Sequence, residues 1–169
     1  MHHAGQHLVL VGMMGAGKTT VGRAVAERLG RRLVDSDEIV EARTGRTVRE
    51  IFQSEGEEAF RLIESQALID ALASPEPVVI AAAGGVVLRE ENRLALREAR
   101  ARVVWLSADP SVLAERVRHG THRPLIDDDP HGTLSRMYED REPLYREVAD
   151  AIVRVDGRAV GEIVEAVLR

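Results

Sequence analysis

The sequence contains no cysteine and only one lysine, and both scarcities limit what the protein can be. Without cysteine there are no disulfides, no thiolate metal ligands and no cysteine nucleophile, and such a chain suits a reducing compartment. Of the 23 basic residues, 22 are arginine, and the one lysine is Lys18. Because a lysine ammonium is compact and mobile whereas a guanidinium is broad and planar, Lys18 is the first candidate for a functional side chain.

Long apolar runs and an excess of positive charge are also missing. No apolar stretch approaches the roughly 18 residues of a membrane span, and residues 1–7 lack the basic and apolar regions of a signal peptide. The formal net charge of −5 argues against binding to nucleic acid or to an anionic membrane. We therefore expect a cytoplasmic monomer whose partner is a small molecule.

The chain has the length and composition of one globular domain, with 169 residues of which 44% are hydrophobic. Short apolar runs alternate with helical patterns, which predicts an α/β layer fold with a parallel sheet. The predicted strands are 7–11, 33–35, 77–82, 102–106 and 152–155. The predicted helices are 19–29, 47–72 (after a capping box formed by Thr47 and Glu50), 90–100, one from Pro110, one from about Thr133, and one at the C-terminus.

Residues 12–19 read GMMGAGKT, which matches the phosphate-binding motif GxxxxGK[ST] between a predicted strand and a predicted helix. Such a loop directs backbone N–H groups at phosphate oxygens, and the N-terminus of the following helix adds a favourable dipole. Lys18 would reach the β- and γ-phosphates of ATP, and the Thr19 hydroxyl would ligate Mg²⁺. The residues expected to contact the nucleotide here are Gly12, Met14, Gly15, Ala16, Gly17, Lys18, Thr19 and Thr20. GTPases, ATPases and small-molecule kinases all share this loop, so the motif leaves the acceptor open.

Two carboxylates, Asp35 and Asp37, follow the second predicted strand, at the edge where ligands bind in parallel sheets. One could hold magnesium through water while the other accepts a hydrogen bond from an attacking hydroxyl. The alternative is structural, with Asp37 as a helix cap. Arg61 and Arg141 are candidates for binding a carboxylate with a guanidinium fork, although a solvated helix face is the ordinary position of an arginine.

The segment 119–132 contains glycine, proline and three consecutive aspartates without an apolar period, which predicts a mobile surface loop. Its histidines, His119, His122 and His131, could suggest a metal site, but polar surface is the simpler interpretation. Trp105 falls in a predicted core strand, so we expect it to pack in the core.

Taken together, these segments resemble the shikimate kinase family over essentially the whole chain. The shared motifs, in order, are GMMGAGKTTVGR at 12–23, DSD at 35–37, TGRTVREIF at 44–52, GEEAFRLIE at 56–64, AGG at 83–85, RPL at 123–125 and REPLYREVA at 141–149. The resemblance implies a P-loop NTPase fold like that of nucleoside monophosphate kinases, with three layers and five parallel strands in the order 2-3-1-4-5. It implies one kinase domain over 1–169, with a substrate-binding region at about 36–64 and a lid at about 119–132.

The resemblance also implies a reaction, the transfer of the ATP γ-phosphoryl group to the 3-hydroxyl of shikimate in aromatic amino-acid biosynthesis. Its implied catalytic residues are Lys18, Asp37 and Arg123. Its implied binding residues are Asp37, Arg61, Gly84, Gly85 and Arg141 for shikimate, Thr19 and Asp35 for magnesium, and Arg118, Arg123 and Arg158 for the nucleotide.

One departure from the family pattern and two rival functions remain. The family has three glycines where this chain has Ala83, Gly84 and Gly85, and we expect Ala83 to remain in the strand with an ordinary negative φ and its methyl group toward the core. The rivals are a kinase for another hydroxy acid such as gluconate, and a paralogue that binds ATP without catalysis. A nucleoside monophosphate kinase is disfavoured because a second base-binding signature is not evident.

Overall fold

The computed structural model describes residues 5–118 and 129–169, with no account of the side chain of Arg118. Five parallel strands form one sheet in the order β2-β3-β1-β4-β5, as predicted. The strands are β1 (His7–Val11), β2 (Leu33–Asp35), β3 (Val79–Ala81), β4 (Ala101–Ser107) and β5 (Ala151–Arg154). Their carboxyl ends meet at one edge, where ligands bind in folds of this kind.

Seven helices in this part of the chain surround the sheet. They are α1 (Lys18–Leu29), α2 (Ser36–Thr44), α3 (Val48–Leu72), α4 (Glu90–Glu98), α5 (Pro110–Arg118), α6 (Pro130–Val148) and α7 (Val160–Leu168). Helix α1 packs on α7, whereas α4 contacts both α3 and α6. A short 3-10 helix, Gly84–Leu88, follows β3 and is called the 84–88 turn below.

Most helix boundaries follow the local signals in the sequence. Gly30 ends α1 in the left-handed conformation, and Thr47 and Glu50 form the predicted capping box of α3. Helix α6 begins at Pro130, three residues before the predicted start, because Asp129 accepts a hydrogen bond from the backbone of Gly132 and proline suits the first helical position. The last three residues of the predicted lid are therefore helical.

Two hydrophobic clusters lie in the described part of the chain. The larger contains β1, β3 and β4, and Trp105 is 2% exposed within it, as predicted, with its ring stacked on Tyr145. The smaller cluster consists of Val40, Ile51, Phe60 and Ala67 and joins α2 to α3. Helix α3 is interrupted at Gly56, where φ is 87° and ψ is 174°, and it packs against α2. This region holds the predicted substrate-binding segment.

No helix among the described residues is both long and apolar enough to cross a membrane. Within 5–118 and 129–169, no three histidine or acidic side chains are grouped so that they could hold a metal ion. His119 and His122 lie outside the described residues.

Candidate active site

The phosphate loop takes the conformation that its glycines allow. Gly12 and Gly15 have φ values of 146° and 86°. A Cβ on Gly12 would also lie 2.6 Å from the carbonyl oxygen of Leu106, so no other residue fits there. Gly17 caps α1, and the first N–H groups of that helix face the loop. The backbone therefore forms the cradle for anionic phosphates that the motif predicts.

Lys18 lies inside this cradle. Its ammonium group donates to the carbonyl oxygens of Gly12 and, at 3.1 Å, of Met13. Such contacts hold the ammonium close to the loop backbone, in a space that suits a compact charge.

Asp35 and Asp37 divide their roles in a way that corrects one expectation. The cap of α2 is Asp35, because its carboxylate accepts hydrogen bonds from the backbone of Asp37 at 3.0 Å and of Glu38 at 3.2 Å. The other oxygen of Asp35 accepts from the Thr19 hydroxyl at 2.6 Å. Asp37 is in the first helical turn, half-buried, with its carboxylate on the wall of the cavity.

A cavity of about 290 Å³ opens at the carboxyl edge of the sheet and contains both sets of candidate residues. Its phosphate-loop side includes Met14, Gly15, Gly17, Lys18, Thr19 and Thr20. The rest of its lining includes Asp37, Arg61, Gly84, Gly85 and Arg141, together with Val48, Phe52, Phe60 and Glu64, and Asp35 lies beside Thr19 at the phosphate loop. Gly12 and Ala16 support the loop from beneath and are buried. A phosphate donor and an acceptor would thus share one chamber.

Arg61 and Arg141 are almost completely buried at the base of the cavity, at 7% and 4% exposure. This burial corrects the alternative of a solvated helix face for both side chains. The guanidinium of Arg61 lies 5.2 Å from the ring centroid of Phe60 and 5.9 Å from that of Phe52. Two buried cations on one wall form a site for an anionic group such as a carboxylate.

Glu64 is a site residue that sequence reasoning did not identify. It is 1% exposed, and its oxygens lie 2.9 and 3.2 Å from Nη1 of Arg61. The pKa of Glu64 is raised above its ordinary value. Burial is the main cause and the Asp37 carboxylate adds to it, while the Arg61 cation opposes both. The only sequence signal was its spacing of three residues from Arg61 on one helix face.

The glycines after β3 bring the two halves of the site together. A Cβ on Gly84 would lie 3.4 Å from the carbonyl oxygen of Gly12 and 3.5 Å from Nη1 of Arg141. A Cβ on Gly85 would overlap the guanidinium of Arg61. Ala83 has φ −60° and ψ 146°, which confirms its negative φ. It lies beyond the strand, which ends at Ala81, and it belongs to the lining of the cavity, which corrects its expected place in the strand with its methyl group in the core.

Three arginines were predicted to contact the nucleotide outside the phosphate loop. Two of these, Arg123 and the side chain of Arg118, lie outside the part of the chain that the structure describes. Arg158 is exposed in the segment between β5 and α7 and donates to the carbonyl oxygen of Arg154 at 3.2 Å. Their roles remain predictions.

The comparisons with known proteins agree with one another. A family model described as shikimate kinase matches residues 14–169. A shikimate kinase of Burkholderia thailandensis is 48% identical over 163 residues, which cover 96% of this chain and 88% of the relative. Among solved structures, a shikimate kinase from Acinetobacter baumannii in complex with shikimate has 37% sequence identity to this chain. The two backbones superpose with a TM-score of 0.92, over 96% of this chain and 90% of that one.

A gluconokinase from Sinorhizobium meliloti, by contrast, is 25% identical with a TM-score of 0.67, over 99% of this chain and 91% of that one. Both the sequence and the backbone are thus more similar to the shikimate kinases than to this gluconokinase. The chain belongs to the shikimate kinase family.

Proposed function

We propose that this chain uses ATP to phosphorylate shikimate at its 3-hydroxyl, giving shikimate 3-phosphate. The observation that carries the proposal is the shared cavity, in which a Cβ on Gly84 would lie only 3.4 Å from the carbonyl oxygen of Gly12 in the phosphate loop. Phosphoryl transfer needs little covalent chemistry from the protein and depends on positioning and charge stabilisation. The cavity supplies both.

On the donor side, the loop backbone and the N-terminus of α1 bind the phosphates of ATP. The Lys18 ammonium moves from the carbonyl oxygens of the loop to the β- and γ-phosphates and stabilises the charge that develops during transfer. Arg123 would add a second cation from the 119–132 segment, while Arg118 and Arg158 would flank the adenine. These three arginine roles rest on the resemblance to the family.

Thr19 and Asp35 would hold magnesium. Their hydroxyl and carboxylate oxygens lie 2.6 Å apart beside the phosphate loop, and oxygen donors of this kind fit Mg²⁺. Protein sites that provide one or two such ligands leave the remaining positions to water and substrate phosphates. The ion would neutralise charge on the phosphate oxygens.

On the acceptor side, Asp37 accepts the proton of the 3-hydroxyl as that oxygen bonds to the γ-phosphorus and the bond to ADP breaks. Arg61 and Arg141 bind the shikimate carboxylate, and Glu64 fixes the guanidinium of Arg61. The rings of Phe52 and Phe60 offer an apolar wall to the face of a cyclic substrate. The N–H groups of Gly84 and Gly85 are in the first turn of a short helix, where N–H groups lack intrahelical partners, and they would donate to the substrate.

The test is ADP release with magnesium and ATP in the presence of shikimate, gluconate or no acceptor. We expect release that requires both shikimate and magnesium. Equal release with gluconate would favour a different small-acid kinase. ATP binding without turnover of any acceptor would favour a non-catalytic paralogue.

Gly85→Ala should raise the KM for shikimate about tenfold or more, because a methyl group would displace the Arg61 guanidinium and weaken a charge-assisted hydrogen bond. The KM for ATP should change little. The matched control is Ala83→Gly, two residues earlier, which should leave the KM for shikimate within about twofold and slightly lower thermal stability. Steady-state kinetics of both variants decide the matter. An unchanged KM in Gly85→Ala would separate Arg61 from substrate binding, and a large fall in KM in Ala83→Gly would mean that the alanine methyl obstructs the pocket.

A further inference from the structure

The carbonyl oxygens of the 84–88 turn are held by side chains from two helices. These hydrogen bonds are donated by Tyr145 to Gly84 at 2.6 Å, by Asn92 to Val86 at 2.9 Å and by Arg93 to Val87 at 2.8 Å. The donors come from α4 and α6. With its carbonyl groups engaged there, the turn has one defined orientation relative to the cavity.

Tyr145 connects this turn to the arginine of the acceptor site. It is 0% exposed, with its ring stacked on Trp105 at a centroid distance of 5.5 Å. Arg141 lies one helical turn earlier on α6, and its guanidinium interacts with the Tyr145 hydroxyl. Burial raises the pKa of Tyr145 to about 12, so the hydroxyl remains a donor at neutral pH.

We propose that Tyr145 is a positioning residue for the acceptor. The hydroxyl group of Tyr145 sets the Gly84 backbone and the Arg141 guanidinium at a fixed separation. Asn92 and Arg93 support the same turn from α4. The inference rests on the proposed function, since it assigns these residues to binding of the carboxylate and ring of shikimate. Tyr145 touches no reacting atom and acts through Gly84 and Arg141.

The ring and the hydroxyl of Tyr145 have separable roles. The ring fills the core against Trp105, and phenylalanine would fill the same volume. The hydroxyl contributes the bond to Gly84 and the contact with Arg141. Tyr145→Phe therefore removes the positioning function and keeps the packing.

We expect Tyr145→Phe to raise the KM for shikimate about tenfold, since a buried hydrogen bond and its effect on a charged neighbour are lost. The KM for ATP and the melting temperature should change far less. The matched control is Tyr138→Phe on the same helix, a partly buried tyrosine that packs against the core and is not among the residues lining the cavity. It should leave both KM values unchanged. Equal changes in both KM values, or a wild-type KM for shikimate in Tyr145→Phe, would overturn the proposal.

A second pair of variants applies if Tyr145→Phe does not fold. Arg93→Met removes the bond to Val87, and Glu147→Gln removes the ion pair that Arg93 makes at 2.8 Å while keeping that bond. A several-fold rise in the KM for shikimate in the first variant alone supports the proposal that side-chain hydrogen bonds to the 84–88 turn position the acceptor, and equal values in the two variants contradict it. The wild-type enzyme, assayed in parallel, distinguishes failure of this proposal from failure of the proposed function. If the wild type does not turn over shikimate, the proposed function itself is refuted.

Discussion

Asp37→Asn should lower kcat by about 10² to 10⁴, the usual contribution of a positioned general base, with a much smaller change in the KM for shikimate. The carboxylate of Asp37 faces the cavity, whereas the cap of α2 is formed by Asp35 through backbone N–H groups. The substitution thus keeps the size of the side chain and the helix cap, and replaces the proton-accepting carboxylate by a neutral amide. A loss confined to kcat indicates an interaction made in the transition state.

The control for this variant is Glu38→Gln, the next residue in the same helical turn. Glu38 is exposed, and its backbone N–H also donates to Asp35, so the same local charge is removed without touching the cavity. It should keep wild-type kcat and KM. A rise in the KM for shikimate with an unchanged kcat in Asp37→Asn would show that Asp37 binds the substrate without taking its proton.

Lys18→Arg should lower kcat by about 10² to 10³, as expected when a preorganised stabiliser of transition-state charge is displaced. The ammonium group of Lys18 is enclosed by the loop and donates to the carbonyl oxygens of Gly12 and Met13. A planar guanidinium is too broad for this position, so it keeps the charge but not the contact. This result would explain why one lysine persists among 22 arginines.

The reverse exchange on the surface provides the control. Arg28 is exposed and pairs with Glu165 at 2.6 Å, and Arg28→Lys should leave kcat unchanged because surface ion pairs contribute little. The melting temperature of both variants should be close to that of the wild type. Near-normal turnover of Lys18→Arg would mean that any cation at this position is sufficient.

The sequence was most informative where a function is carried by contiguous residues. The phosphate loop and the capping box of α3 are local motifs whose geometry follows from their own residues, and both were found where predicted. The strand order came from the family resemblance. The start of α6 was predicted too late because Gly132 suggested a loop, although Asp129 and Pro130 together form a helix-start signal.

Features that depend on packing between distant segments could not be predicted in this way. Glu64 has the sequence context of an ordinary helix-face carboxylate, and its burial depends on the packing of the 84–88 turn and α4 against α3. The contact of Tyr145 with Gly84 joins residues 61 positions apart in the chain. The division of roles between Asp35 and Asp37 depended on which of the two carboxylates points back toward the helix N-terminus.

The separation of the hydrophobic residues into two clusters has a consequence for how the protein loses structure. Val40, Ile51, Phe60 and Ala67 form a small core of their own, and Gly56 separates Ile51 from Phe60 and Ala67 along α3. Units with few buried contacts open at a lower free energy than the central strands. We therefore expect α2 and the part of α3 before Gly56 to open more readily than the phosphate loop, so that a substitution at Val40 or Ile51 weakens retention of the acceptor before it lowers global stability.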